Sequence, residues 1–244
     1  MTTMTLKETN DMTTATEGMK VSADTLTILK NFSTINSNIL IKPGSVLTTI
    51  SPIKNIMSEC TIEEEFDTEI GIWDLNKFLG TVSLFKSPRF HFGDTSVMIS
   101  DDSSSASVTY HYSEPKLLST VNKKVDMPDS VLSITMSTDI LNELQRASSV
   151  LGVSDLAIKG AGGDVVLTVL DKQDKSTNDF SVEVEGTFDA DAEFCFFFKM
   201  ENLKMLPGEY TANITDRGVS EFVSTTHDLR YWIALEADSS YKGN

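Results

Sequence analysis

The sequence predicts an α+β protein built from two similar domains with mostly antiparallel strands. Three observations carry that reading. Short alternating stretches recur between turn residues, as where Phe180, Val182 and Val184 alternate with Ser181, Glu183 and Glu185. A longer helical stretch, Ser22-x-Asp24-x-Leu26-x-x-Leu29, returns 115 positions later as Ser137-x-Asp139-x-Leu141-x-x-Leu144. A shorter unit returns as well. Phe66–Gly80 and Phe194–Gly208 each read as a strand, an acid (Asp74 or Glu201), a short amphipathic helix and a stopping glycine. Within it Lys77, Phe78 and Leu79 match Lys204, Met205 and Leu206, 127 positions on. Repeats this long are domains rather than solenoid units.

Residues 1–18 are Thr-rich, polar and aperiodic, which predicts a disordered N-terminal extension. Ser22 and Asp24 cap a first helix whose apolar face is Leu26, Ile28, Leu29, Phe32 and Ile35. Strands follow at Asn38–Ile41, Val46–Ser51 and Ile56–Thr61, the first two separated by Lys42-Pro43-Gly44. Glu63–Glu65 reads as a solvated edge or loop, and Phe66–Trp73 as the strand entering the helix of Asp74–Leu84. Arg89–Gly93, Ser96–Ser100 and Ala106–Tyr112 complete the first domain, residues 19–112. Residues 113–129 hold Pro115, Pro128, the Lys123-Lys124 pair and no periodicity, as an interdomain connector would. The second domain, 130–244, restarts the order. Strand Val131–Met136 leads to helix Ser137–Leu151, with Ile140, Leu141, Leu144, Ala147 and Leu151 inward. Leu156–Lys159 and Val165–Leu170 flank a Gly160–Gly163 turn, and after the Phe180 alternation and Phe194–Lys199 come the short helix, Glu209–Ile214, Val219–Val223 and Leu229–Ala237.

The 244 residues are 40% hydrophobic, enough for a core, and carry 36 acids against 20 bases, a formal charge of −16. That balance excludes simple electrostatic adhesion to nucleic acid over the whole surface. No run of 18 apolar residues exists, so no membrane partner is expected. The start lacks the basic and apolar regions of a signal peptide, and Cys60 and Cys195 lie in different halves, which together suggest a reduced intracellular protein.

Enzyme signals are weak. His91, His111 and His227 have no metal-ligand spacing, and Gly160–Gly163 lacks the ending of a phosphate loop. Glu63, Glu64, Glu65 and Asp67 read as a charge run in water rather than a cation site, and no cofactor is implied. The helices say more. Their acids sit mainly in first turns or at caps (Asp24, Asp74, Asp139, Glu201), where they suit free N–H groups and the helix dipole. Their solvent faces present Lys30, Lys77, Arg146 and Lys204. A segregated helical surface of this kind tolerates phosphate without reading bases, while acids on the strands keep the rest of the body off nucleic acid.

Four stretches, Leu29–Ser37, Asp74–Gly80, Leu206–Tyr210 and Ala234–Ser239, resemble in order and spacing the sliding clamps, or DNA polymerase processivity factors, of T-even-type bacteriophages. The likeness covers Met19 to Ser240; the residues before Met19 have no expected counterpart, and the connector is poorer in proline than in relatives. The resemblance implies a homotrimeric ring of the DNA-clamp type, with sheets outside and helices lining a central hole around duplex DNA. It implies as partners the replicative polymerase, an ATP-driven clamp loader and, in phage late transcription, the RNA polymerase machinery. It implies work in the cytoplasm of an infected bacterium and no catalytic residue. Lys30, Lys77, Arg146 and Lys204 would face DNA. Ala106, Val108, Tyr110 and Tyr112 would meet Phe180, Val182 and Val184 of the next subunit. Leu117, Leu118, Val121, Trp232 and Leu235 would lie at a groove for partner tails. An acidic, β-rich structural protein of a virion is the competing reading; it leaves the paired helical units unexplained.

Overall fold

A computed structural model describes residues 18–121, 125–161 and 163–243, so the expected extension (but for Gly18) and the Lys123-Lys124 pair lie outside the described residues. Chain order in the first half is α1 (Ala23–Ile35), β1 (Ile39–Ile41), β2 (Gly44–Ile50), β3 (Ile56–Phe66), β4 (Ile70–Ile72), α2 (Leu75–Val82), β5 (Pro88–Phe92), β6 (Ser96–Asp101) and β7 (Ser107–His111). A 3-10 turn at Pro115–Leu117 opens the connector. The second half runs β8 (Leu132–Met136), α3 (Thr138–Leu151), β9 (Asp155–Ala161), β10 (Asp164–Leu170), β11 (Phe180–Val184), β12 (Gly186–Phe188) and β13 (Glu193–Lys199). It ends with a 3-10 turn (Met200–Asn202), β14 (Tyr210–Ile214), β15 (Val219–Ser224), β16 (Leu229–Ala234) and β17 (Ser240–Lys242).

The three helices start where side chains satisfy their free N–H groups. Ser22 Oγ accepts from Thr25 N at 3.1 Å, Asp74 Oδ1 from Lys77 N at 2.9 Å and Ser137 Oγ from Ile140 N at 3.2 Å. α3 stops at Gly152, whose φ of +70° only glycine adopts cheaply. Gly80 lies inside α2 rather than ending it.

Three expectations are corrected. Glu63–Glu65 belongs to β3, and Glu64 points inward, where its carboxylate accepts from Ser22 N and from Thr25 Oγ1 (2.5 Å) at the start of α1. Burial raises the Glu64 pKa, but these hydrogen bonds outweigh it and hold the carboxyl below its ordinary value. The strand expected at Phe66–Trp73 is only β4; Phe66 closes β3. The second short helix is a single 3-10 turn, and Lys204 lies in the irregular stretch behind it. Pro207 disfavours helical geometry at Leu206. Backbone groups there find tyrosine hydroxyls instead: Leu206 N donates to Tyr231 Oη (3.0 Å), and Tyr210 Oη donates to Leu206 O (2.6 Å).

The two halves follow one plan. β1 pairs β4 as β9 pairs β13, and β2 pairs β3 as β10 pairs β11. β5-β6-β7 matches β14-β15-β16, and the lone bridge from Met19 to Phe90 stands where β8 pairs β14. The halves are joined by β16 lying antiparallel to β3, with Leu229 opposite Cys60 and Trp232 opposite Met57. This makes one seven-stranded sheet, β12-β8-β14-β15-β16-β3-β2, that crosses the domain boundary. One apolar core runs through both halves beneath it. By the same plan β7 corresponds to β16 and β11 to β3. Each is an edge strand, and among the described residues neither outer edge has a partner.

Candidate nucleic-acid interface and ring edges

The helices share one surface. α1 packs beside α2, with Leu26, Lys30, Asn76 and Leu79 lining the cleft between them. Across the domain joint, Asn31 Nδ2 of α1 donates to Lys204 O at 3.0 Å, and Gln145 Nε2 of α3 donates to Leu203 O at 3.3 Å. A cleft of about 500 Å³ between α1, α3 and the 200–205 turn is lined by Asn31, Thr34, Ser149, Met200, Glu201 and Lys204 among others. Lys30, Lys77, Arg146 and Lys204 are all exposed around these helices and this turn. Asp24 and Asp139 sit in the first turns of their helices, and Glu143 is the acid that breaks the pattern.

Tyr231 holds the joint. Its hydroxyl accepts from Leu206 N and donates to Asn31 Oδ1 at 2.7 Å, so one buried ring ties the second domain's turn to the first domain's helix. Burial drives this phenol's pKa well above its ordinary range, keeping it a neutral donor. Nothing in the local sequence signals this pair, whose members stand 200 positions apart.

The sheets carry the exposed acids Glu63, Glu65, Glu183, Glu185 and Glu193. Their outer faces also hold bases in ion pairs, which the charge reading missed: Lys199 Nζ lies 2.6 Å from buried Asp155, and Lys172 Nζ lies 2.9 Å from Asp238. Gly160, expected in a turn, is a residue of β9 (Asp155–Ala161), opposite Phe194.

At the two open sheet edges, Phe180, Val182 and Val184 line the inner, half-buried side of β11, and Val108 and Tyr110 that of β7, with Ala106 and Tyr112 just beyond its ends. The tyrosine rings turn into their own domain. Tyr110 meets Phe78 edge-on at 5.1 Å and donates to Asp74 O at 3.3 Å, and burial pushes the Tyr112 phenol up to about 12. What β7 presents outward is therefore backbone more than aromatic surface.

The five expected groove positions differ in exposure. Leu117 is exposed; Leu118 is buried against Gly71, where an added Cβ would come within 3.0 Å of its Cδ1. Val121 O accepts from Lys42 Nζ at 3.3 Å. Trp232 is buried on the outer face of the seven-stranded sheet, its Nε1 unpartnered, while Leu235 joins the core. Among the described residues no three His, Cys, Asp or Glu side chains converge as a metal site. Burial raises the Cys60 thiol to about 11, with Asp228 adding to the effect.

Two repeated α+β domains, joined sheet to sheet with their helices on a common surface, define the DNA-clamp fold. Solved structures agree. PCNA from A. fulgidus, determined with the C-terminal region of FEN-1 bound, superposes with a TM-score of 0.65 at 13% identity, over 88% of this chain and 96% of that one. The DNA polymerase III beta chain of Streptococcus pneumoniae gives 0.63 at 14% identity, over 91% of this chain and 65% of that one. Family models match at residues 22–89 (DNA polymerase processivity factor) and 133–237 (gp45 sliding clamp, C terminal). The sliding clamp of Vibrio phage KVP40 is 30% identical over 224 residues, covering 90% of this chain and all of that protein. That of Enterobacteria phage T4 is 30% identical over 229 residues, 91% of this chain and 99% of the relative. The chain belongs to the sliding-clamp family of T4-like phages, the DNA polymerase processivity factors.

Proposed function

We propose that three copies close head to tail into a ring around duplex DNA and tether the replicative polymerase, without catalysing a reaction. One observation carries the ring. The chain already contains a domain joint, β16 on β3, and the outer edges of the corresponding strands β7 and β11 have no partner among the described residues. If β7 of one copy adds to β11 of the next, the in-chain joint is repeated between copies. Unlike edges meeting in this way form a heterologous contact, the kind that closes cyclic rings. Glu183, exposed on β11, and Glu185, exposed just past its end, discourage wrong pairing of the free edge.

The helical surface then lines the hole. Lys30, Lys77, Arg146 and Lys204 give phosphate a sequence-independent attraction that weakens with salt, while closure rather than affinity retains the DNA. An ATP-driven loader opens the ring, and the same tether serves the transcription machinery late in infection, in the host cytoplasm. The domain limits 19–112 and 130–244 and a partner-tail groove near the connector, with Leu117, Leu118, Val121, Trp232 and Leu235 around it, belong to this reading. The test is primer extension on a long template with the cognate polymerase and loader. The protein lengthens the products, and Lys77→Glu with Lys204→Glu shortens them again while leaving the ring's mass unchanged. Product lengths indifferent to the protein would refute the assignment.

A further inference from the structure

We propose that Arg146 of one copy closes the joint between copies by seating on Trp73 and Asp74 of the next. This rests on the ring reading above and deepens it. Arg146 stands 115 positions after Asn31, in helices whose caps, Ser22 and Ser137, are spaced identically. Trp73 and Asp74 stand 127 positions before Met200 and Glu201. In the in-chain joint, Asn31 and Thr34 share their cleft with Met200, Glu201 and Lys204, and Asn31 bonds across it to Lys204 O. Repeating that joint between copies puts Arg146 and Ser149 of α3 against Trp73, Asp74 and Lys77 at the start of α2.

The residues at this second joint differ in a telling way. Tyr231, the hydroxyl partner of Asn31, belongs to β16; the matching strand β7 offers only one hydroxyl-bearing ring of its own, Tyr110, and that is already bonded to Asp74 O. An asparagine would find no such partner there. A guanidinium would: it can stack on the Trp73 indole and donate to the Asp74 carboxylate, whose Oδ1 caps α2 and leaves Oδ2 to accept. Trp73 is 56% exposed in the single chain, two residues before the buried Leu75 that starts α2, and Arg146 is exposed as well. Contact between copies would cover both, which takes Arg146 out of the DNA-facing set and leaves Lys30, Lys77 and Lys204 to meet phosphate.

The experiment follows mass and tryptophan emission of the full chain through a dilution series. The two tryptophans differ: Trp232 is buried in the chain, so a change in emission on assembly reports Trp73. The wild type is expected to fall from trimer to monomer on dilution with a red shift of emission. Arg146→Ala and Trp73→Ala should each raise the half-dissociation concentration about tenfold or more, and the double variant should add little to either. Circular dichroism of the dilute monomers should match wild type, separating loss of the joint from loss of fold. Variants that dissociate at the wild-type concentration, or emission that ignores assembly, would overturn the assignment of Arg146 and leave the ring standing. A wild type that stays monomeric at every concentration overturns the ring itself.

Discussion

Replacing Tyr231 with phenylalanine removes one oxygen from the joint between the domains and leaves the ring that packs edge-on against Tyr210 at 5.9 Å. Two hydrogen bonds disappear, from Leu206 N and to Asn31 Oδ1. Each has a net worth of about 1 kcal/mol. Leu206 is only half-buried, so water partly replaces the lost acceptor and the desolvation penalty stays near its lower limit of about 1 kcal/mol. The expected loss is therefore about 2–3 kcal/mol. Asn31→Ala should cost less, about 1 kcal/mol, because Asn31 is half-exposed. The two changes share a bond, so their effects should fall short of additivity by at least about 0.5 kcal/mol. Urea unfolding of the wild type, both single variants and the double variant measures this, with unchanged m-values marking an unchanged extent of unfolding. A loss below about 0.5 kcal/mol for Tyr231→Phe, or strict additivity with Asn31→Ala, would refute the reasoning.

Glu64→Gln should destabilise the protein at pH 7 by about 1–2 kcal/mol through loss of charge-assisted bonds at the start of α1. Because the folded pKa of Glu64 is lowered, its contribution is complete above the unfolded value of about 4.3 and is lost as pH falls through the folded one. Urea midpoints of variant and wild type should accordingly converge between pH 5 and pH 3, and a constant gap would count against the capping role. Gly160→Ala would place a Cβ 2.1 Å from Cζ of Phe194, a ring held at 5.1 Å by Phe188 and 5.2 Å by Phe196. Thermal denaturation should show a loss of about 1–3 kcal/mol, and an unchanged midpoint would mean the ring has room to move.

What the sequence disclosed was mostly local. Ser22, Asp74 and Ser137 announce their helices because a cap acts on an N–H three residues away. The α1 and α3 repeat was legible for the same reason, and so was the alternation of β11. Some of the misses are non-local. Glu64 looked like one of three acids in water, because its partners lie about 40 positions back in the chain. β12 and β17 are three-residue strands, too short to show a period. The fourth expected helix is absent for a reason the sequence shows: Pro207 follows Leu206 and disfavours helix there despite the match to α2. The family was legible because order and spacing survive where single motifs are weak.

The pairing of β16 with β3 also orders events during synthesis. Position 60 waits for position 229, so the ribosome has finished β7 and the whole connector before the edge of β3 can be covered. At bacterial elongation rates that interval is roughly 10–30 s. Through it the nascent first domain displays two open borders, β3 and β7, of which only β7 is for another molecule in the proposed ring. Its own C-terminal half is tethered by a short connector and so arrives at a high effective concentration, which favours the correct suitor over a neighbouring polysome's chain. Linkage in one polypeptide thus does for β3 what, in the proposed ring, mass action must do for β7.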